Sequence, residues 1–184
     1  MTRLISLVAA IALAACAGGT LAQSYPNRPV RIIQGFAPGG NADAIARILG
    51  QEMAKSLGQP VLVEAKPGAG GIIASDFVAK AAPDGYTLLL VTGGHAVSGA
   101  TYVSLPFDPV KSFDMISTIS FVQFVIVVRS DSKLQSMPAL LVLAKSAPES
   151  VSYGSAGVGS TQHLAGELLG YMGEVKLMHV PYKG

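Results

Sequence analysis

The sequence predicts an α/β fold of doubly wound, parallel-stranded character. Three observations lead there. Between Val30 and Val91, short β-branched runs alternate with stretches of helical periodicity in the order strand, helix, strand, helix, strand. The third of these strands, Tyr86 to Val91, is a near-continuous apolar run, as expected of a parallel strand covered on both faces. The same strand, glycine-rich loop, helix and strand order then returns between Val151 and Val180.

The opening unit carries the most information. Val30, Ile32 and Ile33 suit a half-buried pleated strand. Pro38-Gly39-Gly40 is turn chemistry, proline pre-setting φ and the glycines permitting positive φ and close backbone approach. Asn41 reads as the N-cap of a helix, with Asp43 in the first turn where a carboxylate complements the helix dipole. Ile45, Ile48, Leu49, Met53 and Leu57 recur at helical spacing, and Gly58 sits where a C-terminal glycine ends a helix. A glycine-rich turn between a strand and a helix N-terminus offers free N–H groups to an anion. The plainer alternative is a tight strand-to-helix connection without a ligand.

Further along, Pro60 to Glu64 is a strand, and Pro67-Gly68-Ala69-Gly70-Gly71 repeats the turn chemistry. A helix from about Ile72 to Ala82 turns Phe77, Val78 and Ala81 inward, and Ala82-Pro83-Asp84-Gly85 stops it. Thr92-Gly93-Gly94-His95 is a third loop at a strand end, and Thr101 to Phe113 is a surface connection. Met115 to Val128 reads as one or two strands, Phe121 to Val128 being the densest β signal in the chain. Arg129 to Ser132 breaks it, and a helix from about Met137 to Ala144 follows. Val151 to Gly154 is a strand, Ser155 to Ser160 a loop, and Thr161 to Met172 a helix with Leu164, Leu168, Leu169 and Met172 in one stripe. Val175 to Val180 is the last strand. The pattern divides into two lobes with a boundary between Phe124 and Ser132. The second lobe, with two strands and two helices, is thin for independent stability, so the sequence is expected to be a fragment or a prematurely ended chain.

Composition excludes several function classes. Half the residues are hydrophobic and 13% are charged, which argues against disorder. A net charge of +2 without runs of like charge gives no footprint for nucleic acid or for a polybasic membrane patch. Leu4 to Ala15 is an apolar run too short to span a bilayer and fits a secretory h-region. Two processing sites compete. Cleavage after Thr20-Leu21-Ala22 suits an ordinary signal peptidase, and Leu13-Ala14-Ala15-Cys16 has the form of a lipoprotein box that would leave a lipidated Cys16. We favour the first, because Ala17 to Ala22 makes a normal small-residue c-region. Cys16 is the single cysteine, so the processed chain carries no disulfide framework. His95, His163 and His179 are widely separated and make no zinc-binding spacing, so no metal is expected.

No catalytic constellation emerges either. Gly157-Val158-Gly159 lacks the third glycine of a dinucleotide fingerprint, Gln162 standing in its place. The Pro67 to Gly71 turn lacks the Lys-Ser/Thr of a nucleoside-triphosphate loop, and no G-x-S-x-G elbow surrounds Ser155. We expect no enzyme and no cofactor.

One set of segments comprises Tyr25 to Arg31, Pro38-Gly39-Gly40 with Asp43, Leu57 to Val61, Glu64 to Gly71, Ala79 to Leu88, Phe107 to Lys111, His163 to Glu167 and His179 to Gly184. Together these segments resemble the Bug family of periplasmic receptors, the substrate-binding proteins of tripartite tricarboxylate transporters. They occur in order over nearly all of the chain beyond the leader. The resemblance implies an α/β, periplasmic-binding-protein-like (type II) venus-flytrap with two doubly wound lobes, the second incomplete here. On that reading residues 1–22 are a signal peptide, 25–125 the first lobe without its C-terminal return segment, and 126–184 part of the second lobe. It implies a small carboxylate, a di- or tricarboxylate or another organic acid, bound between the lobes and delivered to a membrane permease from the periplasm. The alternative is a ligand sensor that presents its bound form to a membrane signalling partner.

The ligand-binding residues so implied are Pro38, Gly39, Gly40, Asn41, Asp43 and Gly93 on one side, and Ser155, Gly157, Gly159, Ser160, Thr161 and His163 on the other. Ala37 stands where family members commonly carry a second proline, and Val158 where they carry asparagine. Asp43 has an alternative role, capping the helix and pairing with Arg47 at i+4. His163, at a helix start, is expected to be satisfied by backbone. The segments Gly35 to Asp43, Thr92 to Ser98 and Ser155 to Gln162 contain no Lys or Arg. A carboxylate would therefore be held by backbone N–H groups at helix N-termini, by hydroxyls and by ordered water.

Overall fold

A computed structural model describes residues 24–182. The signal-peptide reading and Cys16 lie outside these residues. The elements are strand β1 (Val30–Gln34), helix α1 (Asn41–Leu57), β2 (Val61–Ala65), a 3-10 turn at Ala69–Gly71, α2 (Ile72–Ala79), β3 (Thr87–Leu90), α3 (Gly93–Thr101), α4 (Met137–Ser146), β4 (Ser152–Ser155), α5 (Thr161–Gly173) and β5 (Met178–Pro181).

Two parallel sheets organise them. The first has strand order β2-β1-β3, with Ile32 opposite Val63 on one side and Leu88 on the other. The second pairs β4 with β5, Tyr153 opposite His179. β1 is central and is the best-buried element: Val30, Ile32, Ile33 and Gln34 are 0–1% exposed. Burying each of those three aliphatic side chains contributes about 1.5–3 kcal/mol. α1 lies on β2 through Gly50, where an added β-carbon would stand 3.3 Å from Val61 Cγ1. The second sheet rests on a smaller core of Leu140, Ala144 and Val151, with Leu134, Leu141, Val175 and Leu177 packed around it.

Several local expectations change. α1 is capped by Gly40, not Asn41, which is its first helical residue. The small residues Asp43, Ala46 and Gly50 form its buried seam, while Ile48 points outward at 64% exposure, because the sheet approaches too closely for large side chains there. Gly58 ends the helix in the left-handed conformation, as its spacing predicts. In α2 the buried residues are Ala74 and Ser75, and Phe77 and Val78 are half-buried; the helix ends at Ala79, not near Ala82, so the half-buried Ala81 lies beyond it. Gly93-Gly94-His95 opens α3 instead of forming a loop. The apolar stripe of α5 covers little: Leu168 and Met172 are exposed. The largest departure is Met115 to Val128, which forms no strand; Phe121, Val125 and Val127 stand in solvent. A strand exists only as part of a ladder, and among the described residues no strand pairs with this segment.

Candidate ligand site at the strand ends

In parallel α/β sheets, ligands bind at the C-terminal ends of strands. Four segments leave such ends here and converge. Gly35 and Phe36 follow β1, the Ala69–Gly71 turn follows β2, Thr92 and α3 follow β3, and the Ser155 to Ser160 loop follows β4. Their closeness depends on missing side chains. A β-carbon at Gly35 would lie 2.5 Å from Gly71 Cα. One at Gly70 would lie 2.9 Å from the Val158 carbonyl oxygen, and one at Gly94 would lie 3.0 Å from that of Gly159. The glycines thus let the first sheet's loops touch the second sheet's loop backbone to backbone. The space left among them is about 10 Å³, roughly that of a single water.

The loop after β4 is held from below. Ser160, fully buried, caps α5 by accepting from the His163 N–H at 3.3 Å. Ser155 Oγ accepts from the Gly157 N–H and lies 2.6 Å from His179 Nε2. His163 Nδ1 accepts from the Gly159 N–H, so the backbone contact expected of this histidine is present. The His163 and His179 rings meet at 4.1 Å, and His163 Nε2 is 3.8 Å from Glu167 Oε1. Desolvation, then the neighbouring His163, pushes the His179 imidazole below its usual range. Tyr153 stacks on His179 and donates to Glu167 at 2.7 Å; burial, then the Glu167 carboxylate, raises its phenol.

A second support lies under α3. His95 Nε2 meets the Pro109 carbonyl at 2.9 Å, and a carbonyl can only accept, so the proton sits on Nε2. Nδ1 is then an acceptor facing Ser75 Oγ at 3.0 Å. Phe107 stacks on His95 with rings 3° from parallel, and Phe113 meets it edge-on. This histidine joins α2, α3 and the connection after α3 beneath the glycine turns.

The Pro38 to Asp43 segment does not join the convergence. Pro38, Gly39, Gly40, Asn41 and Asp43 do not line the gap. Asp43, 4% exposed, accepts from the Gly39 N–H at 3.0 Å and from Arg47 Nε and Nη2 at 2.8 and 3.1 Å. The Arg47 guanidinium, then the Gly39 N–H, holds its carboxyl below the usual carboxylate range. The N-terminus of α1 therefore already carries an anion from its own chain. Of the other expected residues Gly159 lines the gap, while Gly93, Ser155, Gly157, Ser160, Thr161 and His163 stand around it: a β-carbon at Gly93 would lie 2.9 Å from Thr161 Cγ2, and one at Gly157 3.8 Å from the Gly70 nitrogen. The sequence does not single out Gly70, Gly71 or Tyr102 as site residues, and it places His95 only within the Thr92 to Ser98 segment. The repeated glycine-rich turn after β2 was the available signal for the first two.

Residues 45–184 match the tripartite tricarboxylate transporter family receptor. The chain belongs to this family. It is 38% identical over 187 residues to the protein BugT of Bordetella pertussis, covering 100% of this chain and 57% of that protein. Among solved structures it is similar to MatC from Rhodopseudomonas palustris with bound malate, at 34% identity and a TM-score of 0.79, over 87% of this chain and 55% of that one. It is also similar to an R. palustris protein with adipate, at 31% identity and a TM-score of 0.72, over 87% and 54% of the two chains. The chain thus spans about half the length of the relatives it matches. The fold is periplasmic-binding-protein-like (type II), matched over about half of those chains, and the family is one of receptors rather than enzymes.

Proposed function

We propose that this chain is part of an extracytoplasmic solute receptor. It binds a small organic acid between a first lobe, residues 25–125, and a second lobe, residues 126–184. It delivers that acid to the membrane permease of a tripartite tricarboxylate transporter, from the periplasm. The observation that carries this reading is the backbone-to-backbone convergence of glycine loops from both sheets, with the N-termini of α3 and α5 opening at it. The gap is lined without Lys or Arg, so N–H groups and dipoles would hold the charge. At about 10 Å³ the gap does not admit a dicarboxylate, so binding would require the loops to part and close again around it. The family membership and the malate and adipate of the two similar structures favour the same ligand class. Among the described residues no helix is long and apolar enough to cross a membrane.

Calorimetric titration of the purified protein with malate, adipate and citrate is the test. Saturable binding of at least one acid is expected. Absence of binding across the panel would remove the proposal.

A further inference from the structure

We infer that Tyr102 is a ligand-contacting residue, whose phenol donates to the bound carboxylate and whose ring limits the length of acid the cleft accepts. The inference rests on the carboxylate-receptor reading above. Tyr102 ends α3, its N–H bonded to the Ser98 carbonyl at 3.0 Å, so its backbone is fixed to the helix that opens at the junction. Its side chain crosses that junction. The hydroxyl lies 3.5 Å from the Ala69 carbonyl oxygen on the first side and 3.3 Å from that of Val158 on the second. A phenol has one hydrogen, so it serves one of these carbonyls at a time. Both distances exceed the 2.7–2.8 Å or so typical of O–H···O bonds.

Such a donor is easily redirected. A carboxylate oxygen entering between the loops would make a shorter, charge-assisted bond with it than either carbonyl does. The neighbouring serine hydroxyls already have partners, and Thr92 carries the other hydroxyl in the lining. Ser75 faces His95, Ser98 donates to the His95 carbonyl at 2.7 Å, Ser155 sits on His179, and Ser160 caps α5. With no Lys or Arg lining the gap, the side-chain donors there open to an entering anion are Thr92 and Tyr102, and Tyr102 is the one that reaches both sides through weak contacts. Its ring also sets a dimension. A β-carbon at Gly159 would stand 3.0 Å from Tyr102 Cε2, so the ring lies directly against the second loop and fills the space that a longer acid would need.

The experiment compares the wild-type protein with Tyr102→Phe, Tyr102→Ala and Tyr102→Trp, using malate and adipate as probes and thermal melts to confirm folding. Tyr102→Phe is expected to weaken the preferred acid about tenfold, the effect of losing a bond to a charged group. Tyr102→Ala is expected to raise the adipate-to-malate affinity ratio. The chain has no tryptophan, so Tyr102→Trp reports alone, and its emission is expected to shift when either acid binds. Unchanged affinity in Tyr102→Phe, an unchanged ratio in Tyr102→Ala, or constant Tyr102→Trp emission while calorimetry records binding would each overturn the inference and leave the receptor reading standing. Failure of the wild-type protein to bind either acid would overturn both.

Discussion

β1 and the segment from Phe121 to Val128 are made of the same material and meet opposite fates. Both are rich in β-branched residues. β1 has a parallel partner on each side, and its aliphatic side chains are 0–1% exposed. The later segment has the stronger β signal, no ladder, and Phe121 95% exposed. The difference teaches that strand propensity measures fit to a pleated, half-buried surface and does not create that surface. What decides is whether a neighbouring edge is available to take the backbone N–H and C=O groups.

The comparison can be broken most forcefully in the core. Ile33→Ala in β1 should destabilise the protein by about 2–5 kcal/mol, whereas Val127→Ala should stay within about 0.5 kcal/mol, because an exposed side chain leaves no cavity. Denaturant unfolding of the two variants measures both, and equal losses would mean that the later segment is buried after all. The next effect is at the glycine contacts. Gly35→Ala would set a β-carbon 2.5 Å from Gly71 Cα, backbone against backbone, and should cost about 1–3 kcal/mol. Gly159, at φ 79°, has both the ring of Tyr102 and the left-handed conformation against a side chain, so Gly159→Val should abolish carboxylate binding.

Charging the exposed segment sharpens the contrast from the other direction. Phe121→Lys with Val127→Glu should lower apolar-dye binding and slow aggregation while the melting temperature hardly moves. A fall in melting temperature matching that of a core variant would contradict the exposed state of this segment.

The acidic limb of stability separates the two halves of the chain as well. Asp43 is depressed in the folded state, so its contribution is present above the unfolded carboxylate range and is lost as pH falls through its lowered folded value. Asp43→Asn should flatten the stability profile in acid. His179 is also depressed from 6.5, but for a base this means that the unfolded chain takes up the proton first. Stability should therefore fall as pH drops below about 6.5, and His179→Gln should remove that step. The smallest effect is expected at Arg47: its side chain is 56% exposed and lies outside the gap, so Arg47→Ala should change carboxylate affinity by less than about fivefold. If it abolished binding while Gly159→Val did not, a side-chain clamp would replace the backbone site.

The two ends of the chain's logic were legible to different degrees. Periodicity and turn chemistry located β1, α1, β2, β3, α4, α5 and the glycine loops, because those signals arise from local sterics. Gly58 in the left-handed conformation is an example that needs no neighbour to explain it. The helical start at Gly93 was not legible, since two glycines at a strand end look like a turn until α3 packs against the turn before α2.

By itself, the sequence determined the alternation of strands and helices, the absence of basic residues from the glycine loops, and the family. Tertiary structure alone decided three things: that Met115 to Val128 stays unpaired, that Asp43 serves Gly39 and Arg47, and that the turn after β2 meets the loop after β4 with Tyr102 across them. Each of these is a contact between residues far apart in the chain or a choice among partners. Local propensity cannot encode such outcomes, because the free energy that selects them comes from the ladder, the partners of a buried carboxylate or the close approach that exists only once the chain has folded.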